Sequence, residues 1–328
     1  MLTSEGPGKA LSIVIVNWNS CAFLRNCLKS IYAAAGATTF EVIVVDNASF
    51  DGSKEMAEAE FPEVRFIQSS TNSGFAKANN LGFAISQGES LLFLNPDTEI
   101  VGTALETLES ALQSIPDAGI VGARLLNGDL SLQISAVQAF PSIWNQVLDM
   151  ERLRQWFPKA RLWGIRALIE NTAAATAVDA ISGACLMIKR QVFEQVNGFS
   201  PDYFMYSEDT DLCFKVMTAG FKSYYVRDAR VIHFGGQSSA LSSEGHFASV
   251  MMRESLKRFF GVRRGSPRAT LYQLAMALSA LCRLLVIAVV FVLSLGTYRK
   301  DGLRNAFVKW FRVFRWSVGL EAWAKKSA

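Results

Sequence analysis

The chain has 328 residues, half of them apolar, with 33 Lys and Arg against 29 Asp and Glu and five cysteines. Such apolar and aromatic content excludes an intrinsically disordered chain; the odd cysteine count, without a C-x-x-C pair, argues against a disulfide framework or a cysteine-held zinc. The net charge of +4 hides an asymmetry: residues 251–328 carry 15 basic and 3 acidic side chains, and residues 1–250 carry 18 and 26. A basic, apolar tail calls for an anionic partner, and its apolar content favours a membrane surface over nucleic acid, for which no recognised motif is present.

The polar start MLTSEGPGKA leads into LSIVIV (11–16), too short for a signal-peptide core and read as a strand; a reducing cytosol fits. LSIVIV and EVIVVD (41–46) are uniformly apolar and β-branched, as strands covered on both faces are. Between them Leu24, Cys27, Leu28 and Ile31 recur at helical spacing, with Asn19 or Ser20 as the cap. A helix near 52–60, a strand at 64–68, a helix near 76–87, a strand at 90–95, a helix near 102–114 and a strand at 118–123 follow. Strand and helix alternate, so the class is α/β with a mostly parallel sheet and helices on both faces. Residues 130–175, with Trp144, Trp156, Phe157 and Trp163, read either as core or as a lid. ISGACLMI (181–188) reads as one strand, followed by helices at 189–196 and 208–219, the second ending at Gly220 with Ser207 as its cap.

Ligands of open α/β sheets bind beyond the carboxyl ends of the strands. Polar groups recur at those ends: Asn17 and Asn19, then Asp46 and Asn47, then Asn72, Gly74, Asn79 and Asn80, then Asn95 and Asp97. Each alone is an ordinary turn or cap residue; four groups in succession along one edge mark a ligand site. Neither G-x-G-x-x-G nor G-x-x-x-x-G-K-[ST] occurs, so the dinucleotide fingerprint and the P-loop are excluded.

The series IVIVNWNS, VIVVDNASFDGS, NSGFAKANNLGF, LFLNPDTEI, SGACLMIKR and GFSPDYFMYSEDTDLCFKVMTAGF, over roughly residues 10–240, resembles the family 2 glycosyltransferases, and within them bacterial rhamnosyltransferases of cell-surface polysaccharide synthesis. The resemblance implies a GT-A fold, with a Rossmann-like nucleotide-binding sheet, and inverting transfer from a nucleotide sugar. The family's D-x-D motif reads Asn95-Pro96-Asp97 here, its first acid replaced. Asp97 is then the ligand of a divalent cation, Mg²⁺ or Mn²⁺, which takes hard oxygen ligands and neutralises the leaving diphosphate. The resemblance makes His233, in VIHFGG, the second metal ligand. It places Asp46 on the base or ribose, and Asn17, Asn47, Gly74, Asn80 and Asn95 around the donor.

The acidic cluster Glu208, Asp209 and Asp211 suits a helix N-terminus on composition alone. The family's E-D motif makes Asp209 the base that deprotonates the acceptor hydroxyl, with Asp211 a weaker candidate and Glu208 an acceptor-orienting group. Gly183 and Tyr206 are expected beside the acceptor. The donor expected from the resemblance is dTDP-rhamnose, with a UDP-sugar as the alternative, and the acceptor is a lipid-linked saccharide.

The domain expectation is a catalytic domain over 1–245 and a basic, helical, membrane-associating region over 246–328. Residues 271–296 form an apolar run with the single charge Arg283, long enough to span a bilayer. Residues 302–320 have the basic, aromatic pattern of an interfacial helix. A charge in the middle of the run argues for a peripheral, monotopic seat on the cytoplasmic face of a bacterial plasma membrane rather than a simple span. A sugar-nucleotide nucleotidyltransferase would need a Gly-rich N-terminal loop with Arg and Lys, and a processive synthase several spans and Q-x-x-R-W; neither is present. A non-catalytic nucleotide-sugar-binding module would not need Asp97 and Asp209.

Overall fold

The computed structural model describes residues 10–34, 36, 38–170, 173–235, 247–294 and 300–326. The described residues form two compact units. One takes in the residues up to Phe140, Phe157–Pro201 and those from Glu208 to Ser238; the other takes in Pro141–Trp156, Asp202–Ser207 and those from Ser239 onward. The domain boundary expected at 245 lies outside the described residues.

In the first unit the alternating pattern folds as read. Strand β1 (Leu11–Asn17) is buried along its whole length, and α1 (Cys21–Ala33) buries Leu24, Cys27, Leu28 and Ile31. Ser20 sits at the cap position but makes no capping bond with its side chain. The first-turn amide of Cys21 donates instead to Asp51 Oδ2 at 2.7 Å, so a residue 30 positions away does the capping. Strand β2 (Phe40–Asp46), α2 (Ser53–Glu60), β3 (Arg65–Gln68), α3 (Phe75–Ile85) and β4 (Ser90–Leu94) follow in order. A short β5 (Thr98–Val101), absent from the sequence reading, precedes α4 (Ala104–Ser114) and β6 (Ala118–Leu126).

Residues 130–175 are not uniformly core. They contain β7 (Val137–Gln138), α5 (Ile143–Val147), α6 (Glu151–Trp156) and α7 (Arg166–Glu170). Trp163 is buried, whereas Trp144, Trp156 and Phe157 are exposed. Then come β8 (Ala175–Val178), β9 (Ala180–Ile181), β10 (Cys185–Lys189), α8 (Arg190–Gln195), α9 (Glu208–Thr218) and β11 (Lys222–His233). The single strand expected over 181–188 is two strands, because Ser182-Gly183-Ala184 turns the chain between a small β7–β9 pair and the main sheet.

The main sheet has the order β3-β2-β1-β4-β10-β6-β11-β5, with β8 also on β11. β3, β2, β1 and β4 run parallel, β10 runs antiparallel between β4 and β6, and β11 is parallel to β6. The carboxyl ends of β1, β2, β4 and β11 and the amino end of β10 therefore share one edge.

The second unit is helical: α5 and α6, then α10 (Phe247–Arg264), α11 (Ser266–Leu293), α12 (Lys300–Ser317) and α13 (Trp323–Lys326). Its core packs Met251 and Phe260 of α10 with Tyr272 and Met276 of α11 and Val313 and Trp316 of α12. Phe260 stacks on Tyr272 at 4.9 Å between ring centroids. The indole of Trp316 donates to the buried Glu254 Oε2 at 2.7 Å, giving that carboxylate the partner burial demands.

Candidate active site

Pro96 ends β4, and the chain reverses through Asn95-Pro96-Asp97 into β5, which pairs with β11 in a register that sets Thr98 opposite His233. The backbone N–H of Phe234 donates to the Asp97 carbonyl at 3.0 Å. Two residues 136 positions apart thus meet: His233 Nε2 lies 3.3 Å from Asp97 Oδ1 and 3.4 Å from Asn95 Nδ2. Asp97 is buried.

The tautomer of His233 follows from its other nitrogen. Nδ1 is 2.7 Å from Gln133 Oε1. The Gln133 amide is oriented by Nε2, which donates to Asn127 Oδ1 at 2.9 Å and to the His233 carbonyl at 3.2 Å. An acceptor oxygen therefore faces Nδ1, which carries the proton and leaves the Nε2 lone pair pointing at Asp97. The carboxylate oxygen and the imidazole nitrogen face each other at a spacing that either a shared proton or a shared divalent cation accounts for. Two adjacent ligands of one octahedral ion, each about 2.1 Å from it, lie about 3.0 Å apart, close to the spacing found. The donor set, one oxygen and one nitrogen, suits Mg²⁺ or Mn²⁺ with the remaining positions filled by ligand oxygens and water. Among the described residues no group of three or more His, Cys, Asp or Glu side chains could hold an ion alone.

The β1–β2 corner is built differently. Asp46 is fully buried, and its oxygens accept four hydrogen bonds: Oδ1 from Asn17 Nδ2 at 2.7 Å and Ser49 Oγ at 2.6 Å, Oδ2 from the Ser49 amide at 2.8 Å and Gln68 Nε2 at 2.6 Å. The turn at D-N-A-S is thus made by Asp46 itself. Four donors fill the lone-pair positions of a carboxylate, so a base or ribose reaches Asp46 only by displacing one. Gln68, exposed, is the one at the rim of a cleft of about 280 Å³ that Asp46, Ser49, Phe50 and Ser53 also line. Asn17 Oδ1 is buried beside this network without a hydrogen-bond partner.

Asn47 and Gly74 tie β2 to the loop before α3. Asn47 Nδ2 donates to the Gly74 carbonyl at 3.2 Å, and Asn72 Oδ1 accepts from the Gly74 amide at 3.0 Å. Gly74, at φ +84°, caps α3 in a conformation that a side chain would strain. Asn80 ties α3 to the chain that follows α8. Its Nδ2 donates to the Phe199 carbonyl at 2.8 Å, and its Oδ1 accepts from the Phe199 amide at 3.0 Å.

The Ser182-Gly183-Ala184 turn joins the metal-side corner to the acidic cluster. The Ala184 carbonyl accepts from the Asn95 amide at 3.0 Å. The Gly183 amide donates to Asp209 Oδ2 at 2.9 Å, and the Thr210 amide donates to Asp209 Oδ1 at 2.6 Å. Burial pushes the Asp209 carboxyl up, and these bonds oppose that shift by favouring the ionised form. Glu208 is buried, its Oε2 has no partner, and burial together with neighbouring Asp209 pushes its carboxyl up to about 8. Asp211 is completely buried, with Ser200 Oγ donating to Oδ2 at 2.6 Å, which makes it an interior residue. Ser207 stands at φ +66° and Tyr206 at φ +69°, not in the extended backbone usual at a helix cap. Tyr206 belongs to the other compact unit, where it packs on that unit's apolar core.

Sequence reasoning missed Gln133, Asn127 and the Ala184 carbonyl. Gln133 lies 100 positions from His233 in a stretch without a readable period, and nothing local marks it.

The model described as Glycosyl transferase family 2 matches residues 12–196, and that described as Glycosyl transferase family group 2 matches residues 150–314. The N-acetylglucosaminyl-diphospho-decaprenol L-rhamnosyltransferase of Mycobacterium tuberculosis is 30% identical over 251 residues, 73% of this chain and 80% of the relative. Rhamnosyltransferase WbbL of Escherichia coli K12 is 25% identical over 231 residues, 68% of this chain and 82% of the relative. Among solved structures, the mannosyltransferase PcManGT from Pyrobaculum calidifontis in complex with GDP-Man and Mn²⁺ superposes with a TM-score of 0.56 at 17% identity, over 95% of this chain and 86% of that one. GalNAc-T7 with UDP, GalNAc and Mn²⁺ gives 0.53 at 17% identity, over 70% and 44%. At that identity the two structures speak for the fold, which is GT-A. The matched model covers more than half of the chain, from β1 to the end of α8; the chain is a glycosyltransferase and belongs to glycosyl transferase family 2.

Proposed function

We propose that this glycosyltransferase moves a sugar, L-rhamnose in the favoured reading, from a nucleotide donor to a lipid-linked saccharide in cell-surface polysaccharide synthesis, with inversion at the anomeric carbon. The observation that carries the reading is the meeting of Asp97 and His233 on the edge where Gly183 holds Asp209. The sugar and acceptor class rest on the names of the relatives from Mycobacterium tuberculosis and Escherichia coli. A nucleotide-sugar donor points to the cytoplasmic face of the membrane.

In this reading Asp97 and His233 hold a divalent cation, which, when bound, neutralises the charge growing on the departing diphosphate. Gln133 keeps the Nε2 lone pair of His233 turned toward Asp97. The Gly74 turn lets the chain approach the donor closely. Asp209, ionised and held by Gly183 and Thr210, takes the proton from the acceptor hydroxyl as its oxygen bonds to the anomeric carbon and the bond to the diphosphate breaks. Burial and neighbouring Asp209 favour the neutral form of Glu208, which limits the negative charge beside that base, and its unpartnered Oε2 is the atom proposed to orient the acceptor.

The test mixes dTDP-rhamnose, or UDP-sugars in parallel, with a polyprenyl-diphosphate-linked N-acetylglucosamine and Mn²⁺, and reads nucleoside diphosphate release and the product anomer by NMR. Asp209→Asn keeps donor binding within a few-fold while kcat falls by about 10²–10⁴. A retained anomer would overturn the mechanism, and near-normal kcat in Asp209→Asn would move the base elsewhere.

A further inference from the structure

We infer that the C-terminal helical unit is a monotopic seat on an anionic lipid bilayer, with α11 lying along the surface and Arg283 acting as an internal clasp rather than as a membrane-crossing charge. At 28 residues, α11 is about 42 Å long, enough to cross a hydrocarbon core. Among the described residues it is the one helix long and apolar enough to do so. Its two faces have different neighbours. Ala269, Tyr272, Met276 and Ala280 point into the unit's core against α10 and α12. Leu271, Leu274, Leu278, Leu281, Leu285 and Val289, three or four residues apart, form a continuous exposed stripe along the rest of the helix.

Arg283 does not interrupt that stripe. Its guanidinium turns inward and donates from Nη2 to the Val147 carbonyl at 2.7 Å, with the Asp149 carbonyl 3.3 Å from both Nη1 and Nη2. The Val147 carbonyl ends α5, and the Asp149 carbonyl lies two residues beyond it. The same guanidinium lies over the Trp310 ring, 4.1 Å from its centroid. The charge that made a simple span implausible is thus satisfied inside the unit, and beyond the exposed Arg268 near its start the outer face of α11 carries no charge. The clasp also holds the α5 segment, with exposed Trp144, Leu148 and Met150, against the middle of α11.

The bundle decides the orientation. Helices α10 and α12, packed along the inner face of α11, carry Arg253, Glu254, Arg263, Arg264, Arg304 and Lys309. A crossing α11 would carry those charges into hydrocarbon, which is heavily penalised. An in-plane α11 leaves them at the headgroups. The occupant is a bilayer with anionic headgroups: the exposed basic side chains Arg268, Arg304 and Lys309 outnumber the exposed acids Asp202 and Asp301, Glu254 and Glu321 are buried on internal donors, and Asp149 is paired with Arg154. Apolar face plus exposed cations is the arrangement of an interfacial helix.

The test is flotation of the full-length protein with phosphatidylcholine vesicles, with and without phosphatidylglycerol, in the absence of donor and acceptor, so that its outcome is independent of the catalytic reading. Wild type floats, and binds several-fold better with the anionic lipid. The triple variant Leu274→Glu, Leu278→Glu, Leu285→Glu, all at exposed positions, loses at least tenfold in binding while its melting temperature and nucleotide binding hold. Arg283→Met keeps vesicle binding and lowers the melting temperature. In a Cys21→Ser background, a fluorophore on exposed Cys282 is quenched more by shallow than by deep spin-labelled lipids. Deeper quenching means that α11 crosses and overturns the seat. Unchanged binding in the triple variant overturns the stripe, and loss of binding in a folded Arg283→Met makes Arg283 a headgroup ligand and overturns the clasp. Self-association without vesicle binding assigns the face to a second copy of the chain and overturns the proposal.

Discussion

Two carboxylates stand at strand ends on the same edge of the sheet, with β1 between them, and are held differently. Asp46, after β2, is wrapped by four donors from Asn17, Ser49 and Gln68. Asp97, after β4, has fewer internal partners: His233 Nε2 lies 3.3 Å from its Oδ1. The fold satisfies the first from within; on the proposed reading a bound cation completes the second.

The sharpest way to break the comparison is to remove each carboxylate in turn. Asp97→Ala is expected to lower turnover by about 10²–10³, the scale for losing one well-placed electrostatic group, while changing stability by less than about 1 kcal/mol because few internal bonds are lost. Full activity of the purified wild-type enzyme in excess EDTA would contradict the first half. Asp46→Ala leaves buried donors without an acceptor and is expected to destabilise by about 2–3 kcal/mol, read by urea unfolding. Equal stability losses in the two variants would erase the distinction. Gln133→Ala should weaken Mn²⁺ binding about 10- to 100-fold by releasing the His233 ring, without touching the ion itself; calorimetry with nucleoside diphosphate present measures this.

Glu208 adds a third kind of carboxylate, buried and with one oxygen unpartnered. Its folded-state pKa of about 8 lies above the ordinary 4.5, so the fold prefers the neutral form. That contribution to stability is complete below pH 4.5 and is lost as pH rises toward 8. Glu208→Gln should therefore gain stability relative to wild type across that window, and a difference independent of pH would show that Glu208 ionises freely.

The central strands were legible because strands covered on both faces read as unbroken apolar runs, and β1, β2 and β4 do. Strand β5 was not, since four residues after a proline carry no period. Nor was the break at 182–184, because Ser, Gly and Ala are as compatible with a strand as with a turn. At the candidate site, the resemblance and the order of motifs single out Asp97, His233, Asp209 and Gly183, whose roles are proposals. They do not single out Gln133, because its role exists only once β11 and the turn after β6 lie side by side. In the tail, helical period and charge were readable, but the inward turn of Arg283 depends on carbonyls of α5 some 135 positions earlier.

The most direct measurement is pulsed electron paramagnetic resonance of Mn²⁺ bound with a nucleoside diphosphate. A histidine-nitrogen modulation is expected in wild type, retained in Asp209→Asn and Asp46→Asn, and lost in His233→Ala, with Asp97→Ala losing the bound ion. A bound Mn²⁺ signal without nitrogen modulation in wild type, or one unchanged by Asp97→Ala, would contradict the assignment of Asp97 and His233 to one ion.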